Sequence, residues 1–313
     1  MKKVLLATTV LAMTATVAAA EVKLSGNARM GVVYNGDAVS NKLQFSSRVR
    51  ATISMSGETD SGLAFGGEFG VHDAGPASNG SAGSVFISGA FGKLTMGDVV
   101  GAAEEVVGNL PEVGFQDLSG GLALNASDND TLFLTGDGAF YPSATNPGAL
   151  YTYSTGGLTF ALGMNDGATN AGGIYAAVDG VQAYSVGVKY AVDGYSVSLG
   201  YEVADPTAGP SAKHLIVGGE ATFGTTTVKA FYGDGSGTLA SLKHYGIGVT
   251  HKVDALTVKG YVKKTEIGGA SATGYGIGAD YALGGGATLS GGIVDNNVAG
   301  SKIRADLGIK FSF

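Results

Sequence analysis

The chain has no cysteine and no tryptophan, and beyond its first twenty residues no apolar run approaches the roughly 20 residues that a spanning helix needs. Without cysteine, neither a disulfide framework nor a thiolate metal site can form. In a membrane such a chain must close a sheet on itself, because only helices and closed barrels satisfy every backbone group in lipid. Tyrosine and phenylalanine would then have to form the aromatic girdles of the barrel.

The amino terminus has the pattern of a secretory signal. Lys2 and Lys3 precede an apolar stretch from Val4 to Val17, and three alanines up to Ala20 provide a small-residue cleavage site. We expect residues 1–20 to be removed, which leaves residues 21–313 as a single domain beginning at Glu21. A retained membrane helix is the alternative, but the stretch is short, rich in alanine and threonine, and followed at once by an alternating strand.

Charge is scarce and predominantly acidic. The full chain has 19 basic and 26 acidic residues, and loss of Lys2 and Lys3 changes the net charge from -7 to -9. This balance argues against a nucleic-acid partner, whose phosphates would be repelled, and is compatible with a lumen that favours cations. The 54 glycines and the low charged fraction of 14% fit a membrane sheet better than a soluble domain of this length.

The last eleven residues alternate without interruption. Ile303, Ala305, Leu307, Ile309, Phe311 and Phe313 fall on one face, and Arg304, Asp306, Gly308, Lys310 and Ser312 fall on the other. A strand that is apolar on one side and polar on the other, and that ends on a phenylalanine, is typical of the last strand of an outer-membrane barrel.

The same alternation predicts an all-β chain of sixteen antiparallel strands. An even number puts both termini on the periplasmic side. The predicted strands are 21–35, 42–56, 62–73, 83–91, 93–99, 149–156, 157–166, 182–193, 194–204, 213–224, 225–235, 242–253, 254–265, 272–284, 285–295 and 301–313.

Short and long connections alternate along this series, as expected when one set of turns faces the periplasm. The third long loop, over about residues 100–148, is much longer than the other predicted loops, and loops of that length are usually functional. It has no lysine or arginine. Its acidic residues are Glu104, Glu105, Glu112, Asp117, Asp128, Asp130 and Asp137.

Four arginines lie on the polar faces of the first, second and last strands: Arg29, Arg48, Arg50 and Arg304. Counted from the periplasmic ends at about 3.3 Å per residue, all four are predicted to lie at one level. Since the last strand must pair with the first to close the barrel, they would form one basic cluster. Like charges held together need opposite charge nearby, and the acidic loop would provide it by folding into the lumen.

Four segments resemble the sixteen-stranded trimeric general porins of alphaproteobacteria: EVKLSGNARMGVVYNGD, FSSRVRATISMSGETDSGLAFG, VFISGAFGKLTMGD and ADLGIKFSF. The resemblance implies an outer-membrane homotrimer, surrounded by lipid and lipopolysaccharide, whose third loop narrows the pore. It puts Arg29, Arg48 and Arg50 on the basic side of the constriction and Glu104, Glu105, Glu112 and Asp117 on the acidic side. Arg304 is added by the argument from strand closure.

The expected function is passive diffusion of small polar solutes and ions. Acids facing arginines across a narrow passage orient water, which polar solutes can replace and apolar solutes cannot. The acidic excess predicts mild cation selectivity. Alternatives are a porin selective for an anionic or sugar-like solute and an outer-membrane enzyme, although no Ser-His or acid-His constellation has a supporting motif. The arginines could also be a solvated strand face, and the acids an ordinary exterior loop.

No cofactor is required by this function, but the long loop has one candidate calcium site. Asp128, Asn129, Asp130 and Asp137 offer the oxygen ligands that a hard cation prefers. Solvation of the loop is the alternative, since an EF-hand glutamate is missing. The four histidines, His72, His214, His244 and His251, have no metal-binding spacing and are expected to be ordinary polar or girdle positions.

Overall fold

The computed structural model describes residues 20–36, 38, 42–73, 83–115, 118, 131–136, 148–168, 181–295 and 302–313. Its strands are β1 (Glu21–Asn35), β2 (Leu43–Glu58), β3 (Ala64–Asp73), β4 (Gly83–Gly89), β5 (Gly92–Gly97), β6 (Gly148–Thr155), β7 (Leu158–Ala168), β8 (Val181–Val192), β9 (Tyr195–Asp205), β10 (Ala212–Phe223), β11 (Thr226–Gly237), β12 (Lys243–Val253), β13 (Leu256–Ile267), β14 (Ala270–Gly284), β15 (Ala287–Asp295) and β16 (Arg304–Ser312). All sixteen predicted strands are confirmed, with ends that differ by three residues at most. The predicted signal segment lies outside the described residues except for Ala20.

The strands form one closed antiparallel barrel in which each strand pairs with its neighbours in sequence. Closure is made by β1 and β16, whose register runs from Asn27 opposite Ser312 to Asn35 opposite Arg304. None of the sixteen described strands is therefore the edge strand of an open sheet, which is the condition for crossing lipid with a sheet.

Alternating side chains separate an apolar outer face from a lumen face. In β8, Ala183 and Ser185 are buried inside the barrel, whereas Tyr184 and Val186 are exposed on its outer surface. The same division recurs in β9 and β10, so the apolar residues that the sequence pattern selects are those that face lipid.

Tight turns join the strands at one end of the barrel, where the sequence predicts them. Gly156 and Gly157 both have positive φ angles, of 55° and 84°, as do Asp193 and Gly194, at 49° and 83°. Two successive residues of this kind form the type I′ turn, whose twist matches that of the strands it connects.

One helix, α1 (Ala102–Val107), follows β5 inside the barrel. Alternation does not predict it, because it occupies the start of the long third loop. Within the ranges given above, no helix has the length and apolar character needed to cross a membrane. The helix belongs to an apolar cluster that also includes Leu110, Val113 and Phe231.

Candidate functional site

The third loop enters the barrel directly after β5. Helix α1 packs against the inner faces of β7, β8, β9 and β10, with Ala102, Ala103, Val106 and Val107 buried. Glu104 is half-buried and Glu105 is exposed. The apolar residues of the helix therefore contact the wall, and Glu105 is left facing the lumen.

Inward-facing glycines make this close packing possible. A Cβ atom at Gly200 would lie 2.6 Å from the Ala103 Cβ atom, and one at Gly218 would lie 2.9 Å from Cγ1 of Val107. Similar contacts continue around the wall to Phe115, which packs against Gly308. We call these residues the glycine track: Gly163, Gly187, Gly200, Gly218, Gly246, Gly248, Gly278, Gly292 and Gly308. The loop follows this track from β7 to β16.

Hydrogen bonds hold two described stretches of the loop against the barrel wall, residues 98–115 and residues 131–136, which we call its first and second passes. The Ala102 N–H donates to the Ser185 hydroxyl at 2.9 Å, which fixes the start of α1 on β8. In the second pass, the Gly136 N–H donates to the Asn165 side chain at 2.8 Å. The Thr131 N–H donates to Asn109 at 2.8 Å and so links the second pass to the first.

Glu202 on β9 is the most extensively bonded anchor of the loop. Its buried carboxylate accepts the backbone N–H of Leu134 at 2.9 Å, the N–H of Thr135 at 3.0 Å and the Thr135 hydroxyl at 2.6 Å. Its Oε2 atom is also 2.8 Å from Nδ1 of His214. The prediction that His214 and His244 are ordinary polar or girdle residues is wrong, because both are buried beneath the loop.

Three of the four predicted arginines are brought together on β1 and β2. Arg29 lies directly opposite Arg48 in the register, and Arg50 is one inward-facing position farther along β2, opposite Asn27. The Arg48 guanidinium donates to Asn27 at 3.4 Å, and the guanidinium carbon of Arg29 is 6.0 Å from the centre of the Phe115 ring. The first pass of the loop therefore reaches the basic wall at Phe115.

Arg304 does not share this level. It lies opposite Asn35, whereas the residue of β16 opposite Arg29 is Lys310, six positions away. The prediction that Arg304 joins the cluster is wrong about its height, because counting from strand ends ignores the stagger of neighbouring strands in a tilted barrel. Lys310 is the residue that this counting missed.

The charged wall continues beyond the arginines. Lys259 on β13 is paired with Asp280 at 2.6 Å, and Lys310 lies 3.5 Å from the same carboxylate. Alternation alone identifies Lys310 as inward-facing, but only the β1–β16 register shows that it is beside Arg29.

The predicted acids occupy different parts of the wall. Glu104 and Glu105 belong to α1, which contacts β9, and β9 is eight strands from β1 in both directions around the barrel. They therefore lie across the lumen from the arginines. Glu112 is exposed and lines a cavity of about 320 Å³ with Lys229 and Lys259.

The predicted calcium ligands and one predicted acid of the constriction are not among the described residues. Asp117, Asp128, Asn129, Asp130 and Asp137 lie outside the described residues. Within the described ranges, no group of three or more histidine or acidic side chains could hold a metal ion.

Comparison with known proteins gives consistent matches over nearly the whole chain. The family model for Gram-negative porins matches residues 7–300. A porin from Rhodobacter capsulatus is 42% identical over 94% of this chain and 100% of its own length.

Solved structures give the same fold. A porin structure refined at 1.8 Å resolution has a TM-score of 0.78 and 39% identity, and the match covers 94% of this chain and all of that one. A triple mutant of the Rhodopseudomonas blastica porin, 24% identical with the same coverage, has a TM-score of 0.70 and is similar in fold alone.

Proposed function

This chain belongs to the Gram-negative porin family of the outer membrane, and from that premise we propose a passive channel with a charged constriction for small hydrophilic solutes and ions. A porin is a diffusion channel and not an enzyme. Solutes cross it down their gradient, so transport requires no energy source. Glu104 and Glu105 form the proposed acidic side of the constriction, to which the family resemblance adds Glu112 and Asp117.

The observation that supports this proposal best is the half-circumference separation of α1 from the basic wall. With Arg29, Arg48 and Arg50 on one side and the acids of α1, Glu104 and Glu105, on the other, the field runs across the passage. Water oriented by such a field is readily exchanged for polar or zwitterionic solutes. Apolar solutes would have to displace it without replacing its hydrogen bonds.

We propose mild cation selectivity, supported by the net charge of -9 for the chain beginning at Glu21. The basic residues of the wall oppose this preference and keep it small. A channel selective for an anionic or sugar-like solute is the alternative, favoured by the cluster of Arg29, Arg48, Arg50 and Lys310.

The decisive experiment combines a planar bilayer with liposome flux. We expect steady conductance, a reversal potential in a salt gradient that favours potassium over chloride, and a flux of uncharged solutes that falls smoothly with size. Saturation by one sugar or a reversal potential favouring chloride would support the alternative. Purified protein that conducts no ions would disprove the channel itself.

We also propose a homotrimer that is otherwise surrounded by lipid and lipopolysaccharide. Among the described residues, strands β4 and β5 have seven and six residues, whereas a strand needs about 9–11 to cross the hydrocarbon layer. An apolar depression on the outer surface extends from these strands to β1 and is lined by Val22, Met55, Phe65 and Val85 among others. Neighbouring subunits would cover this low part of the wall.

Calcium binding by Asp128, Asn129, Asp130 and Asp137 stays a separate proposal, based on their oxygen ligands. The channel needs no cofactor to conduct. A calcium titration of the purified protein followed by calorimetry would test the site, with Asp128→Asn and Asp130→Asn together as the variant that should abolish binding.

A further inference from the structure

A row of buried ionisable side chains crosses the inner wall beneath the long loop, and the proposed channel does not use it. Glu202 on β9, His214 on β10 and His244 on β12 have 0%, 1% and 0% of their surface exposed. Lys263 on β13 is equally buried, at 1%. Burying such groups is costly unless they are hydrogen-bonded, so their bonds indicate what the row does.

The hydrogen-bond chain has a defined proton arrangement. His214 Nδ1 donates to the Glu202 carboxylate at 2.8 Å, and His214 Nε2 lies 2.8 Å from Nε2 of His244. A neutral His214 has its one N–H at Nδ1, so its Nε2 atom can only accept. The pair is therefore neutral when Nε2 of His244 donates the one hydrogen that lies between the two rings. The contact passes over β11, where a Cβ atom at Gly233 would lie 2.7 Å from His214 Nε2.

The described surroundings of His244 offer no acceptor for a further N–H group. Its Nδ1 atom is buried and has no hydrogen-bond partner among the described residues. On β13, Thr265 lies opposite His244 and Lys263 lies one inward-facing position away, so a charged imidazole would be close to a buried ammonium group. From β11 the ring is contacted by Phe231, with centroids 5.2 Å apart. The only carboxylate in the row, Glu202, is separated from His244 by the other imidazole.

Acid therefore acts on the same groups that hold the loop. A second proton on the pair would either leave a buried N–H without an acceptor or set two N–H groups against each other. The loop segment 131–136 and the β11–β12 turn, residues 238–242, contain no ionisable side chain that could compensate. Opening the row would let water reach the imidazoles, but it would also release the loop from Glu202.

We infer that Glu202, His214 and His244 are positioning residues that fix the pore loop in a pH-dependent way, an inference that rests on the proposed channel function. When the histidine pair is neutral, Glu202 keeps Leu134 and Thr135 on the wall. Protonation of the pair frees this segment, which then enters the lumen and interrupts the current.

The test is single-channel recording of the full chain at about pH 7.5 and about pH 5, on either side of the usual imidazole range. In the unaltered protein we expect closures to be several-fold more frequent at the lower pH. In His244→Gln the amide can still donate to His214 but does not titrate, so most of this increase should be lost. Glu202→Gln should close often at both pH values.

His251→Gln is the matched control, because His251 lies on the same strand but is exposed and bonded to Thr226. It should keep the full response to acid. Equal acid responses in His244→Gln and the unaltered protein, or no response in the latter, would overturn the inference and leave the channel function intact. A protein that conducts at neither pH would instead overturn the proposed function. If Glu202→Gln fails to fold, His244→Gln still decides.

Discussion

Arg29 and Arg48 are held in an arrangement that does not serve stability. Residues directly opposite each other on antiparallel strands have Cβ atoms about 4.5–5.5 Å apart, and like charges there are destabilising. On β16, Lys310 lies directly opposite Arg29, and on β2, Arg50 lies two residues from Arg48. Such a cluster is tolerable where water screens the charges and acids face them across the lumen, which describes a charged passage better than a structural wall.

We therefore predict that replacing Arg48 and Arg50 together by alanine raises single-channel conductance by tens of per cent, because two long side chains leave the passage. The reversal potential should also move further toward cations. Planar bilayer recordings measure both quantities. Unchanged conductance would contradict their position at the constriction.

Arg304→Ala is the comparison for this double variant. Since Arg304 lies opposite Asn35, six positions from the partner of Arg29, its removal should change conductance much less. An effect equal to that of the double variant would mean that the narrowest part of the passage is not at the level of Arg48 and Arg50.

Single residues also show where sequence reasoning reaches its limit. Alternation correctly assigns Arg29, Arg48 and Arg50 to the lumen, because a period of two fixes the face of every residue in a strand. Alternation does not give the stagger between neighbouring strands, and for that reason the predicted height of Arg304 in the barrel was wrong. Nor does it reveal that His214 and His244 meet, since a glycine on the strand between them is what permits the contact.

Among the elements, the glycine track determines how closely the loop lies against the wall. Each of its residues leaves room for a particular loop atom, so the wall and the loop have complementary surfaces. The sequence predicted the strands well because each one repeats a local pattern. It could not predict the path of the loop, because this depends on contacts with strands far along the chain.

Gly187→Ala tests this complementarity. The added methyl group would collide with the Ala102 carbonyl oxygen and with Val106, and we expect α1 to be displaced into the lumen. Conductance should fall, and overpacking should destabilise the barrel by about 1–3 kcal/mol. Conductance recordings and urea unfolding from vesicles provide the two measurements.

Gly219→Ala is the matched control, because the nearest atom to its Cβ position, outside its chain neighbours, is the Ser196 carbonyl oxygen at 3.7 Å. It should leave the conductance unchanged. A loss of current in both variants would mean that glycine is needed for the strands themselves and not for the position of the loop.

On the scale of the whole molecule, the wall has unequal height. As far as the structure describes them, strands β4 and β5 are too short to cross the hydrocarbon layer unaided, whereas β9 has eleven residues. The outer surface is apolar in both regions, with Val85 on β4 and Leu199 on β9 exposed. In the proposed trimer, this difference in height separates the surface that faces another subunit from the surface that faces lipid.

We predict that Val85→Arg lowers the fraction of trimer in detergent, since a guanidinium group would be buried between subunits. Chemical cross-linking and light scattering would measure this fraction. Leu199→Arg, the matched control, should remain trimeric in detergent but lose about 2–4 kcal/mol of stability in vesicles. Equal dissociation of both variants would contradict the assignment of the interface to β4.

The path of the loop also constrains the order of folding. Residues 102–115 rest mainly on strands that follow them in the chain, from Gly163 on β7 to Gly308 on β16, and Phe115 also reaches Arg29 on β1. This stretch therefore lacks most of its docking surface while the amino-terminal strands are assembling, and its contact with Gly308 requires the carboxyl-terminal strand. Docking of the loop would then be a late step in biogenesis, one that reports that the cylinder has sealed.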